Sequence, residues 1–255
     1  MATFHKYERE EISEEMLQDA AALFSNNYGI WGSQAESKMG PFAKQGRRVR
    51  MSPQRIKDQC IPPAPARTTY VQVKINDEVA GNVFATRWRY EGRNMCWITQ
   101  LCVSSKYRHQ GLATKLLLKL REGENDRGFG LLSSHPFAIL AALRAFGRGP
   151  EEVDLSIAKT HAIQIMDSSP VEYVRTAKLH GALFEEDAKD GTISCADTEF
   201  FVDHTEPLEA LAAVREKGIS WPFGDLPEGH EFLVMVKGKD LASMERRRAE
   251  RSSDF

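Results

Sequence analysis

Six residues, Arg108-His109-Gln110-Gly111-Leu112-Ala113, combine a cation, an imidazole and a glycine at the junction of two differently patterned runs. Before them, Trp97, Ile98, Leu101, Cys102 and Val103 form an apolar segment that reads as a buried strand. After them, Leu112, Leu116, Leu117 and Leu120 recur at helical spacing, with Lys115 and Lys119 turned outward. The six residues therefore sit where a strand turns sharply into a helix. Gly111 lets the backbone approach a ligand that a side chain would exclude. The first-turn N–H groups of a helix have no intrahelical partner, and the helix dipole adds partial positive charge there. Such a turn suits an anion, and a phosphate in particular.

The proton-transfer candidates come next. His135 follows the apolar run Gly128–Ser133, titrates in a useful range, and has Ser134 beside it. The same two residues are placed to cap a helix starting at Pro136. Tyr28, Trp31 and Phe42 either line a pocket or cap the core. Glu172 and Tyr173 either enter a cleft or, for Glu172, cap a helix. Lys44, Arg47, Arg48 and Arg50 form a basic run that reads as a solvated loop. His161, His180, His204 and His230 have no interpretable spacing. Cys60, Cys96, Cys102 and Cys195 lack metal-ligand spacing, so no metal is expected. Cys96 and Cys102 are expected on one face of their strand.

Several elements must position these residues. A first strand is predicted over Phe4–Glu10, then a helix capped by Ser13, and a short helix from Ser52-Pro53 to near Cys60. Strands over Tyr70–Ile75, Val79–Tyr90 and Met95–Val103 with short turns make an antiparallel meander. The strand Gly128–Ser133 follows a helix and should run parallel to its predecessor. A helix from Pro136 stops at Gly147. Ser169-Pro170-Val171-Glu172 reads as a capping box opening a helix to about Phe184. Thr198–Val202 and Glu231–Val236 are expected as a hairpin, with Pro207–Gly229 inserted and a helix over Pro207–Lys217.

The strand Leu101-Cys102-Val103, the turn Arg108–Ala113 and the amphipathic helix resemble the acyl-CoA-binding motif of the GNAT-type N-acetyltransferases. The resemblance implies a mixed α/β fold: a largely antiparallel sheet with one splayed parallel strand pair, flanked by helices, with C-terminal helical insertions. It implies acetyl-CoA as co-substrate. The turn, through Arg108, His109, Gln110, Gly111, Leu112, Ala113 and Thr114, would hold the pyrophosphate, while Leu101, Cys102 and Val103 would align the pantetheine arm. The acceptor would be a primary amine, of a small metabolite, attacking the thioester directly. The family's usual positions for a base and an acid fall on Trp97 or Thr99 and on Leu143, none of them useful in proton transfer. That leaves His135 and Ser134 as the expected catalytic pair. A non-catalytic acyl-CoA-binding module and a protein-lysine acetyltransferase are the alternatives.

Bulk properties narrow the partners. The 255 residues carry a net charge of −2, with 42% hydrophobic and 27% charged residues, ordinary for a globular protein. Nucleic acid and membrane are not expected as partners, and no apolar run approaches membrane-span length. No secretory signal is visible at the N-terminus, and four scattered cysteines suit a reduced, cytoplasmic setting. One domain is expected over 1–240, with insertions at 148–196 and 207–229 and a charged tail over 241–255. The expected state is a monomer or homodimer.

Overall fold

The computed structural model describes residues 1–186, 188 and 190–238. The charged tail expected over 241–255 lies outside the described residues. Strand β1 (Ala2–Glu8) leads through a 3-10 turn at Arg9–Glu11 into α1 (Glu14–Asn27). The strand thus starts and stops two residues before its predicted bounds. Ser13 starts α1 by accepting the Met16 N–H at 3.2 Å. After α2 (Ala35–Met39), Ser52 accepts the Arg55 N–H at 3.1 Å and Pro53 opens α3 (Pro53–Cys60).

The meander β2 (Arg67–Ile75), β3 (Glu78–Tyr90) and β4 (Arg93–Val103) follows. Then come α4 (Leu112–Arg121), β5 (Gly128–Ser133) and α5 (Pro136–Phe146). The remaining elements are α6 (Ser156–Asp167), α7 (Glu172–Thr176), β6 (Lys178–His180), β7 (Cys195–Asp197), α8 (Thr205–Glu216) and β8 (His230–Lys237). All eight strands form one open sheet, in the order β1-β2-β3-β4-β5-β8-β7-β6. Its neighbours are antiparallel except for the parallel pair β4–β5. No described helix is long and apolar enough to cross a membrane.

Two features of β4 shape everything that follows. Its register against β3 steps from Phe84↔Gln100 to Ala85↔Ile98, leaving Thr99 as a bulge. Its pairing with β5 runs only from Met95↔Gly128 to Ile98↔Leu131. Beyond Ile98 the β5-facing edge of β4 has no strand partner, while β5 continues against β8 through Ser133↔Phe232. Close approach below the parting depends on Gly130, because a Cβ there would run into the Trp97 ring.

The bulge also corrects the expectation for the two cysteines of β4. A bulge inserts one residue and so exchanges the faces beyond it. Cys96 and Ile98 face α4 and α5, whereas past Thr99 it is Leu101 and Val103 that do so. Cys102 points the other way, its Sγ 3.7 Å from the Leu23 carbonyl oxygen of α1. Helices α4, α5 and α8 cover one sheet face around Leu116, Leu117, Phe129, Ile139 and Phe146. On the other face α1 and α3 pack on Tyr70 and Phe84, and α6 and α7 pack on Trp97 and Met235.

The segment after α5 departs most from expectation. Ser169 does not close a capping box: its hydroxyl accepts from Val171 N–H, two residues on, and α7 ends at Thr176 rather than near Phe184. The chain then returns to the sheet as β6, with Leu179 packed into the Trp97 cluster. Burying that edge outweighs local helix signals. The strand expected over Thr198–Val202 is likewise displaced. The ladder to β8 is made by Cys195–Asp197, and the chain leaves the sheet at Glu199, whose φ is +53°. Val202 keeps only a bridge to Trp31.

Candidate active site

Both parallel strands end in the N-terminus of a helix, β4 leading to α4 and β5 to α5. In the first of these turns His109 and Gly111 adopt left-handed backbone conformations, with φ of +62° and +74°. Space around the Cα of Gly111 is open, with nothing within 4 Å of where a Cβ would stand. Among the described residues, no protein acceptor takes the N–H groups of His109 through Thr114. These are consecutive donors with nothing to bond but solvent or a ligand.

Asn27 clamps the turn to the end of α1: its Oδ1 accepts the Ser105 N–H at 2.8 Å, and its carbonyl accepts Arg108 Nη2 at 2.5 Å. Arg108 Nη1 donates to Glu206 of α8. The His109 ring meets Phe137 edge-on at 5.2 Å, which closes the turn against α5.

A cavity of about 290 Å³ lies where β4 and β5 part. Ile98, Thr99, Gln100 and Leu101 form one wall, and Leu131, Leu132 and Ser133 the other. Tyr28, Trp31 and Phe200 close one side, and Tyr173 reaches in from α7. The Tyr173 hydroxyl donates to the carbonyl of the bulged Thr99 at 3.2 Å, so the inserted segment ties off a backbone group freed by the bulge. Burial pushes both Tyr28 and Tyr173 far above the ordinary phenol range, and the Glu231 carboxylate raises them further. Both are therefore neutral donors at any working pH.

Glu231, the second residue of β8, lines the same cavity and is only 8% exposed. Burial lifts its carboxyl from 4.5 to about 7, opposed by a hydrogen bond from the Thr198 side chain. A carboxyl poised near neutrality at the floor of a cleft is suited to accepting a proton. Sequence reasoning missed Glu231. The available signal was an acid set in the apolar run Glu231–Val236, a poor fit to a strand buried in a sheet.

The expected catalytic pair is divided by the structure. Ser134 is buried beside Tyr28, which lines the cavity. His135 sits on the other side. Its Nδ1 accepts the Phe137 N–H at 3.3 Å, capping α5, and its Nε2 lies 3.5 Å from Glu206. His135 thus faces the amide-lined turn, not the cavity. Hydrogen bonding from His135, with the Arg108 charge, holds the Glu206 carboxyl down at about 2. Cys102 is pushed up to about 12 by burial, which removes it as a thiolate. Tyr28 and Trp31 line the cavity, whereas Phe42 stays 59% exposed against the outer edge of Trp31. Trp97 and Leu143 are buried in the core, and Thr99 is the bulge. Among the described residues no group of side chains could hold a metal.

Comparison with known proteins matches this region to a family. Residues 37–135 fit the model of the acetyltransferase (GNAT) family. No curated protein gives a significant match in sequence. Among solved structures, the chain is similar to the GNAT-family N-acetyltransferase YhbS from Escherichia coli in complex with CoA. That match has 16% identity and a TM-score of 0.37, and covers 62% of this chain and 71% of that one. It is similar to diaminobutyrate acetyltransferase EctA from Paenibacillus lautus, at 12% identity, covering 56% and 71%, with a TM-score of 0.31. A GNAT-family acetyltransferase from Streptococcus pneumoniae matches at 12% identity over 56% and 83%, with a TM-score of 0.37. The matched residues run from α2 through the bulged β4, the amide-lined turn and β5 to His135, and over them this chain carries an acetyltransferase domain of the GNAT family, whose members use acetyl-CoA.

Proposed function

We propose that the chain transfers an acetyl group from acetyl-CoA to the primary amine of a small molecule, with Glu231 as the proton acceptor. The observation that carries this reading is the parting of β4 from β5 between the amide-lined turn and the cavity holding Glu231. The N–H groups of His109 to Thr114 would hold the diphosphate, with Gly111 leaving room for it. The unpaired edge of β4 through Leu101, Cys102 and Val103 would align the pantetheine arm as an added strand. When bound, acetyl-CoA supplies the reactive thioester. Proximity in one cleft accounts for a large share of the rate.

The rest falls to the chain's own side chains. The Glu231 carboxylate takes a proton from the acceptor's ammonium, leaving a neutral amine. Tyr28, with Ser134 beside it, is a neutral O–H donor lining the cavity and can hydrogen-bond the departing sulfur. Ser134 therefore acts as a positioning residue. We assign His135 a positioning role too, since both its nitrogens are engaged with α5 and α8. A cavity of about 290 Å³ is at the small end for ligand sites and favours a small acceptor over a polypeptide.

The test is release of free thiol from acetyl-CoA across an amine panel, with coenzyme A binding measured by calorimetry. Expected are micromolar binding and amine-dependent release that rises with pH through about 7, as Glu231 ionises. Binding without amine-dependent release would point to an acyl-CoA-binding module instead. Failure to bind coenzyme A would overturn the proposal.

A further inference from the structure

Resting on that reading, we infer that the acceptor carries an anionic group, a carboxylate in the simplest case, recognised by Arg50 and Arg55 while its amine meets Glu231. Both arginines line the cavity that Glu231 also lines. Of the basic run Lys44, Arg47, Arg48 and Arg50, only Arg50 reaches that wall. Its backbone is pinned on both sides: the Val49 N–H donates to the Gly29 carbonyl at 3.0 Å, and the Met51 N–H to Ser25 Oγ at 3.1 Å. The side chain is thus presented from a fixed position.

Arg55 occupies the first turn of α3, a turn without an acidic residue. A cation there opposes the helix dipole, where a carboxylate would be favoured. Among the described residues neither Arg50 nor Arg55 has a carboxylate within ion-pair distance. Glu199, on the same cavity wall, pairs with neither. An incoming carboxylate would satisfy both forks and the dipole together. The same cavity is also lined by the apolar side chains of Trp31, Met51 and Phe200. An acceptor that meets both kinds of charge and the apolar lining would carry an ammonium, an anionic group and an apolar body.

The experiment compares matched acceptors in the thiol-release assay. Amino acids with aromatic and with linear apolar bodies are each set against their methyl ester and their decarboxylated amine. The acid form is expected to exceed its neutral analogues by about 10- to 100-fold in kcat/KM, the range of a charge-assisted bidentate contact. In the double variant Arg50→Gln/Arg55→Gln the ratio should fall towards one. Arg55→Glu should invert it in favour of the amines. Both positions are exposed, so these variants should fold as the parent does. Neutral amines turned over as well as the acids, or an unchanged ratio in the double variant, would overturn the inference. So would turnover of no acid by a protein that binds coenzyme A. Calorimetry with coenzyme A reports separately on the acetyltransferase reading, so the two cannot fail indistinguishably.

Discussion

The two ends of the β4–β5 pair bury ionisable groups in opposite ways. Before the parting, Arg87 of β3 is 3% exposed, and its Nε lies 3.0 Å from both oxygens of Asp126. The same guanidinium donates to Thr69 at 2.7 Å and to the Leu120 carbonyl at 3.2 Å. Glu124 beside it is met by Lys6 and Arg67. Beyond the parting, Glu231 is buried with a threonine hydroxyl and no cation. One end sets its buried carboxylates against guanidinium and ammonium groups, and the other leaves a carboxyl without a cation. A buried charge lacking a partner shifts its pKa instead of staying ionised. The closed end is built for stability, and on the proposed reading the open end serves proton transfer.

The sharpest way to break this contrast is Glu231→Gln. As the proton acceptor, Glu231 should contribute about 10²- to 10⁴-fold to turnover. The variant should lose that much kcat, lose the rise of rate near pH 7, and keep its affinity for coenzyme A. Its stability should move the other way. The folded carboxyl binds its proton more tightly than the unfolded one, so stability is lost as pH rises from 4.5 through about 7. That rise corresponds to about 3 kcal/mol at pH 8. Urea unfolding at pH 8 should therefore show the glutamine variant to be more stable than the parent, by up to that amount. A variant both inactive and less stable would mean that Glu231 is a structural residue.

Arg87→Ala tests the other end. Removing one partner leaves Asp126 buried and uncompensated, at a cost of about 3–5 kcal/mol. A second change, Asp126→Leu, should recover most of it, because a well-packed apolar pair replaces an ion pair at little cost. Equal losses in the single and double variants would show that Arg87 matters for packing alone.

How much of this was legible in the sequence follows from the range of each signal. The strand, turn and helix around Gly111 show in the sequence because period, glycine and amphipathicity act within a few residues of one another. The bulge at Thr99 does not, since threonine is an ordinary strand residue and the irregularity lies in its register with β3. Thr198–Val202 carries strand-like residue types, yet tertiary demand turns that stretch towards Trp31 and the cavity. Ser169–Glu172 reads as a helix start, and the free edge of β7 takes the following residues for β6. Glu231 acquires its meaning only from two strands that lie far from it in sequence. His135 shows the converse: its type and place suggested chemistry, and a neighbouring helix engages it.

Gly130→Ala probes the boundary between the two ends. The added Cβ would strike the Trp97 ring where β4 and β5 still touch. Overpacking of this kind costs about 1–3 kcal/mol. The parting should then begin earlier along the strands. Urea unfolding should report the loss of stability, and a raised KM for acetyl-CoA the displaced edge of β4. A loss of stability with an unaltered KM would confine the effect to the core.

The smallest expected effect concerns the amide-lined turn. Glu206 bridges Arg108 and His135 from α8, and its carboxyl stays ionised down to about pH 2. A fixed negative charge beside the amide-lined turn opposes an incoming diphosphate and occupies the guanidinium that would otherwise meet it. Glu206 is more than half exposed, so solvent screens both effects. Exposed pairs of this kind are worth about 0.2–1 kcal/mol, which limits the change to about fivefold. Glu206→Gln should therefore lower the KM for acetyl-CoA by about two- to fivefold at low salt. The gain should shrink as ionic strength rises and the turn is screened. A KM that rises instead would assign Glu206 the opposite part, that of fixing Arg108 and α8 in place. In that case the open end of the molecule, like the closed one, would depend on a satisfied ion pair.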